Sequence, residues 1–330
     1  MRVVGGLPPS CYGGRVAAIL TRAERLARSV AVWDPHRDTA HASLLSGSGR
    51  SGTTWLLEAY SRAGRLRPIF EPVRPDLDAR FSDLRPGRYV PVDAERLPSQ
   101  EAVEDLLVGR YRHPWADQEA SLNPFLRYRG RLIKEIRFPM WAGWVAHRHP
   151  DVRIVHVIRH PLATLSSQSV LGWVPERMHY MMAQPELVDG LLGDRPLREL
   201  ASGDDATALI TRWAIENLTA ARTYGGARSA LVSYDAAVED RSELDRGARW
   251  LGIDPARLTN LEKPSKMSHA KGANAHAGKD PRAWMKRIDA SQQAAAARVL
   301  DAVGLAEAFP VDGTVDREAL QRWWERGGRD

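Results

Sequence analysis

The chain has 330 residues, 43% of them hydrophobic and 27% charged, with 47 Lys plus Arg against 41 Asp plus Glu for a formal charge of +6. That is enough apolar material for a sizeable core in one domain, or two at most, and it excludes disordered and fibrous architectures. Cys11 is the single cysteine, which excludes an intrachain disulfide framework, zinc ribbons and iron–sulfur centres.

In chain order, residues 16–33 read as an amphipathic helix, because Arg22, Glu24, Arg25 and Arg28 interrupt the apolar residues. This helix belongs to an N-terminal helical extension over residues 1–40. No uncharged apolar run approaches the roughly 20 residues of a membrane helix, so the expectation is a cytoplasmic chain without a membrane span. Acidic residues are interspersed among the basic ones throughout. A local basic pocket for a small anion is therefore expected, and no nucleic-acid partner.

Short apolar runs at residues 43–45, 132–136, 152–158 and 230–234 predict buried strands. Helical patterns fall at 53–63, 139–147, 161–169, 206–224 and 241–251, followed by 289–303, stopped by Gly304, and 315–326. Strands alternating with helices predict an α/β fold: a central parallel sheet flanked by helices in three layers, P-loop-like in its first turn. Ligands in such sheets sit beyond the carboxyl ends of the strands, so the turns after Leu45 and Ile158 are where chemistry is expected. Three stretches break the rhythm. Residues 72–98, rich in Pro, Arg and Asp, read as a surface excursion, and 171–196 carries Trp173, Met178, Tyr180, Met181 and Met182 without a clean period. Residues 262–282, with Lys263, Lys266, Lys271 and Lys279 among Gly, Ser and His, have the composition of a mobile basic loop.

The segment SLLSGSGRSGTTWLL, residues 43–57, places a turn of small residues between an apolar strand and a helical pattern. Gly47, Gly49 and Gly52 allow backbone N–H groups to close on an oxyanion at the helix's positive end. Thr53 and Thr54 add hydroxyls, and Arg50 adds permanent charge. Counting a Walker A loop from Gly47 puts Gly52 in register but Thr53 where the lysine belongs, and the strand at 152–158 ends in Arg159 where an NTPase keeps a Mg²⁺-binding Asp. Nucleoside triphosphate chemistry is disfavoured on both counts.

GRSGTTWL and VIRHPLATLSSQ resemble the two nucleotide signatures of sulfotransferases that use 3'-phosphoadenosine-5'-phosphosulfate (PAPS). LIKEIR, LVSYDAAV, WLGID and Trp284 are weaker matches in family order, and they spread the resemblance over a domain at 41–310, leaving 311–330 as a C-terminal helical tail. The resemblance implies that Gly49, Arg50, Ser51, Gly52, Thr53 and Thr54 hold the 5'-phosphosulfate. Arg159 and Ser167 would hold the 3'-phosphate, with Ser166 or Gln168 as substitutes for the serine. Trp55 matches an aromatic near adenine, Tyr234 falls on the nucleotide side, and Lys271–Gly272 matches loosely the loop over the 3'-phosphate, where the cytosolic branch has an Arg-Lys-Gly triplet. The histidine that many cytosolic relatives place two residues after the lysine of LIKEIR is absent, since Ile136 stands there. The chain is thus more similar to carbohydrate, tyrosyl-protein and bacterial members.

The implied reaction moves a sulfuryl group from PAPS to a hydroxyl of a small-molecule or sugar acceptor, leaving the product nucleotide PAP. No metal is required. Arg50 and Lys134 stabilise the leaving phosphate, and a carboxylate takes the acceptor's proton. Glu71, in PIFEPV, is the first candidate base and Glu135 the second. A partly buried glutamate is expected to have its pKa raised towards neutrality. A structural ion pair of Glu71 with Arg67 or Arg74 stays open as the alternative. His147 and His149 read as a solvated helix end, with no metal. The competing functions are a P-loop kinase and a non-catalytic nucleotide-binding module.

Overall fold

The structure, a computed structural model, describes Ala27 and residues 31–120, 127–176, 178–261 and 282–328. Five strands, β1 (Ala42–Gly47), β2 (Arg67–Phe70), β3 (Arg131–Glu135), β4 (Arg153–Ile158) and β5 (Ser229–Ser233), form one all-parallel sheet in the order β2-β3-β1-β4-β5. The helices are α1 (Thr53–Gly64), α2 (Gln100–Leu107), α3 (Ala142–Arg148), α4 (Pro161–Val170), α5 (Met178–Met182) and α6 (Leu197–Ala201). They continue with α7 (Asp205–Tyr224), α8 (Tyr234–Glu239), α9 (Ser242–Trp250), α10 (Ala290–Ala302) and α11 (Arg317–Glu325).

Successive strand residues face opposite sides of a sheet, and here both sides are apolar. Leu44, Ile69, Ile133, Ile154 and Leu231 join one core, which Leu209, Ile210 and Trp213 of α7 and Val299 and Leu300 of α10 complete. Leu45, Phe70, Leu132, Val155 and Val232 join the other, against Leu56, Leu57 and Tyr60 of α1 and Leu244 and Ala248 of α9. Helices on both faces make the three-layer α/β fold expected from the alternation. Local signals set the ends of these helices. Asp289 and Gln292 form a reciprocal capping box before α10, and Gly304 follows its end at φ 68°.

Several boundaries differ from the sequence reading. Residues 67–70 form β2, which no periodicity indicated. Its Pro68 is tolerated because β2 is an edge strand, and its Arg67 is neutralised by Asp117 at 2.5 Å. Tyr234 starts α8 and does not end a strand, while α3 begins at Ala142, after a 3-10 turn at Phe138–Met140. Residues 72–98 are irregular yet not a surface excursion: Val73, Phe81, Leu84, Tyr89, Val90 and Leu97 are buried in the first core. Their charged neighbours explain the composition, because Arg74 pairs with Asp76 and Arg80 with Asp78 on the outer side. Trp323 and Trp324 of α11 are buried in that same core. Most of the expected N-terminal helix and nearly all of the 262–282 loop lie outside the described residues.

Candidate active site

Every strand delivers a candidate residue at its carboxyl end. Glu71 follows β2, Lys134 and Glu135 close β3, residues 48–52 follow β1, Arg159 follows β4 and Tyr234 follows β5. The register sets them side by side, with Ser46 opposite Glu135 and Gly47 opposite Val157.

The loop after β1 turns on glycines that nothing else can replace. Gly47 has φ 159°, and a Cβ there would lie 2.5 Å from the Val157 carbonyl oxygen. At Gly52, φ 87°, a Cβ would lie 2.1 Å from the Tyr234 ring. Arg50 is itself left-handed at φ 78°, a conformation that costs on the order of 1 kcal/mol for a residue with a side chain. The buried Ser51 closes the turn, its Oγ donating to the Ser48 carbonyl at 2.7 Å. No side chain caps α1 at Gly52, and the first helical bond runs from the Leu56 N–H to the Gly52 carbonyl at 3.3 Å, so the N–H groups of Thr53, Thr54 and Trp55 have no acceptor within the helix.

The two sequence motifs meet in space. Arg50 Nε donates to Ser167 Oγ at 3.0 Å, and Arg159 Nη1 donates to the Arg50 carbonyl at 3.1 Å. Ser167 is thereby separated from its two substitutes. Ser166 accepts from Arg287 Nε at 2.8 Å, and Gln168 donates to the Gly49 carbonyl at 3.2 Å. The Arg159 guanidinium lies 4.8 Å from the centroid of the Tyr234 ring, and Trp55 meets that ring edge-on at 5.8 Å. Trp55 Nε1 also donates to the Leu261 carbonyl at 3.2 Å. Lys271 and Gly272 lie outside the described residues.

Sequence reasoning assigned no role to Asp235, His156 or Asn217. Asp235 Oδ2 accepts the His160 N–H at 2.6 Å and its other oxygen lies 4.0 Å from Arg159 Nε, so it anchors the start of α4 beside the arginine. His160 caps α4, its Nδ1 accepting from the Leu162 N–H at 3.2 Å. Beneath the loop, His156 Nε2 meets Asn217 Oδ1 at 2.9 Å and its Nδ1 meets the Tyr224 hydroxyl at 3.0 Å. Asn217 Nδ2 then donates to Ser48 Oγ at 3.2 Å. Burial drives the His156 pKa down to about 4, so this imidazole is a neutral strut between β4, α7 and the loop. Trp173 covers the loop from outside: a Cβ on Gly49 would come within 2.6 Å of its ring.

A second cluster sits at the ends of β2 and β3. Lys134 Nζ is ion-paired with Glu71, lies 4.6 Å from the centroid of the Phe70 ring, and is 3% exposed. Glu71 is left-handed at φ 39°, held by its N–H donating to the Lys134 carbonyl at 2.8 Å. Glu135 is fully buried with both oxygens in use. Oε2 accepts from the Val73 N–H at 2.9 Å, while Oε1 accepts from the Arg137 N–H at 3.2 Å and Nη1 at 2.6 Å.

The pKa values of the two carboxyl groups are shifted in opposite directions. Burial alone would raise Glu71, but the charge and hydrogen bond of Lys134, with Arg137 and Arg74 behind it, outweigh burial and hold the carboxyl below its ordinary value. The expected rise is therefore corrected for Glu71. It occurs at Glu135 instead, where burial and then the Glu71 charge prevail over Arg137. The ion-pair alternative is corrected too. Arg67 pairs with Asp117 and Asp34, and Arg74 with Asp76, while the partner of Glu71 is Lys134.

No protein-family model matches the chain, and no curated protein matches it. Among solved structures it is similar to a sulfotransferase from Alicyclobacillus acidocaldarius, at 12% identity and a TM-score of 0.38, over 79% of this chain and 94% of that one. A likeness that distant fixes no activity, and the site's own geometry has to carry its interpretation. No helix among the described residues is long and apolar enough to cross a membrane.

Proposed function

We propose that the protein is a sulfotransferase that moves the sulfuryl group of PAPS to a hydroxyl of a small-molecule or carbohydrate acceptor. The observation that carries this reading is the junction at the carboxyl edge, where Arg50 reaches Ser167 and Arg159 reaches the Arg50 backbone. Two segments proposed to hold anions, from neighbouring strands, are thus in direct contact, which suits a nucleotide with phosphate groups at both its 3' and 5' positions. Gly49 to Thr54 would seat the 5'-phosphosulfate, Arg159 and Ser167 the 3'-phosphate, and Trp55 and Tyr234 the base and ribose side. Lys271 and Gly272, carried over from the family likeness, would close over the 3'-phosphate.

In the transfer, the bond between sulfur and the 5'-phosphate oxygen breaks as a new bond forms from sulfur to the acceptor oxygen, and the acceptor's proton passes to a carboxylate. Glu71 suits that role better than Glu135. Its pKa is held below the ordinary value and its bond to Lys134 uses one oxygen, whereas both oxygens of Glu135 are occupied by the Val73 N–H and by Arg137. Arg50 and Lys134 would stabilise the charge on the departing phosphate. The chemistry needs positioning and fixed charge and no metal ion. A screen of the purified protein with sulfur-labelled PAPS against phenols, sugars, lipids and peptides tests the class and the acceptor together. Transfer of label to a hydroxyl compound is expected, and an absence of transfer to every class contradicts the assignment.

A further inference from the structure

The turn that feeds β1 carries a second constellation, at the opposite edge of the sheet from the candidate active site. His36, Asp38 and His41 each offer one ligand atom, and the three atoms lie within 4.8 Å of one another. The two imidazoles are stacked, with centroids 3.6 Å apart and planes inclined by 10°. Asp38 Oδ1 meets His41 Nδ1 at 2.6 Å and accepts from the His41 backbone N–H at 3.1 Å. The carboxylate and the imidazole nitrogen thus face one point, where a metal ion would take the place of the shared proton.

The backbone under these side chains is clamped. The guanidinium of Arg131, which is 0% exposed, donates to the carbonyl oxygens of His36 at 2.8 Å and of Asp38 at 2.9 Å, and its Nε bonds Asp34 Oδ2 at 2.9 Å. Thr39 Oγ1 bonds Asp151 Oδ2 at 2.5 Å on the far side of the turn. A ligand would therefore be received without ordering a loose segment. A cavity of about 410 Å³, lined by His36, His41, Arg65, Arg127, Tyr128 and Arg129, opens on the two rings.

We propose that His36, Asp38 and His41 form a binding site for a divalent transition metal of the zinc or nickel class. Two imidazoles and one carboxylate select such an ion over magnesium or calcium, which require oxygen donors. Donor atoms sit about 2.0–2.2 Å from zinc, so side-chain rotation within the clamped turn closes the set. The adjoining cavity would leave room for further ligands on the ion. There Arg65, Arg127 and Arg129 oppose a bare cation and favour one that carries an anionic fourth ligand such as hydroxide or phosphate. The same arginines define the competing occupant, an oxyanion without metal, and the experiment separates the two.

Tag-free, chelator-stripped full-length protein is titrated calorimetrically with zinc chloride and, separately, followed by visible absorption with cobalt(II). One zinc per chain is expected, weakened at least about tenfold in H36Q and in H41Q, together with a cobalt band that both variants lose. Circular dichroism establishes that the variants fold, and D38N supplies the third ligand position if either does not. Three results overturn the site: no zinc binding by the wild type, full-affinity binding by all three variants, or binding of inorganic phosphate that H36Q weakens while zinc produces no signal.

Discussion

The donor side of the candidate site and its base side stand on the same edge of the same sheet, yet they handle charge in opposite ways. Arg50 and Arg159 place their donors on neutral oxygens, a serine hydroxyl and a backbone carbonyl, and the nearest carboxylate oxygen to Arg159 is 4.0 Å away on Asp235. Among the described residues Arg50 has no carboxylate partner. At the ends of β2 and β3, by contrast, each cation meets its own carboxylate, Lys134 with Glu71 and Arg137 with Glu135. Positive charge thus meets a carboxylate only at the limit of ion-pairing distance where a polyanion would bind, and is closely paired where a neutral hydroxyl would react. The first arrangement suits binding and the second suits proton transfer.

This contrast can be broken by substitution, beginning with the largest effect. Glu71→Gln should lower turnover by about 10²- to 10⁴-fold while PAP affinity stays nearly constant, because it removes the base and keeps the donor side. Unchanged turnover in a steady-state assay would remove Glu71 from the reaction and leave the nucleotide-binding module as the better description. Arg159→Ala should weaken PAP binding by about 10- to 100-fold in a calorimetric titration, the worth of a charge-assisted contact to phosphate. An unaltered affinity would mean that the loosely paired charge of Arg159 does not serve the nucleotide.

Lys134→Met sharpens the comparison through pH. Lys134 holds the pKa of Glu71, the proposed base, below the ordinary value, so activity in the wild type should fall only below that value, as acid protonates the carboxylate. Without the lysine, burial acts with less opposition and the Glu71 pKa rises. The acid limb of kcat/KM against pH should therefore move upward in the variant. An acid limb that stays where it was would show that the group titrating it is not the partner of Lys134. Ser167→Ala is the mildest case: it removes one neutral acceptor from Arg50, and PAP affinity should drop only a few-fold.

Most of the geometry of the candidate donor side was legible in the sequence because its constraints are local. Glycines at fixed offsets between a strand and a helix dictate the loop. An arginine at a strand end marks the second candidate segment, and the structure adds the His160 cap and Pro161 in the first turn of α4. Ser167 could not be chosen over Ser166 or Gln168 by spacing, since only the packing of α4 against the loop and against Arg287 tells the three apart. The base side was less legible. Glu71 was found by resemblance, but its partner lies 63 positions away on β3, and β2, which brings the two together, is four residues long and contains Arg67 and Pro68. The sense of the Glu71 pKa shift depended on that pairing, so burial alone pointed the wrong way. Asp235 and the His156–Asn217–Ser48 strut left no signal, because a buried aspartate or histidine in a helical or strand pattern has no local signature of its partner.

The account's central claim is that Arg50 and Arg159 hold the two ends of one doubly phosphorylated adenosine without a metal. Calorimetric titration with PAP in the presence of EDTA, set beside titration with ATP and magnesium, tests it directly. The account predicts that PAP binds the more tightly, unaffected by the chelator. ATP·Mg²⁺ binding at least as tightly as PAP, or PAP binding that requires magnesium, would contradict it.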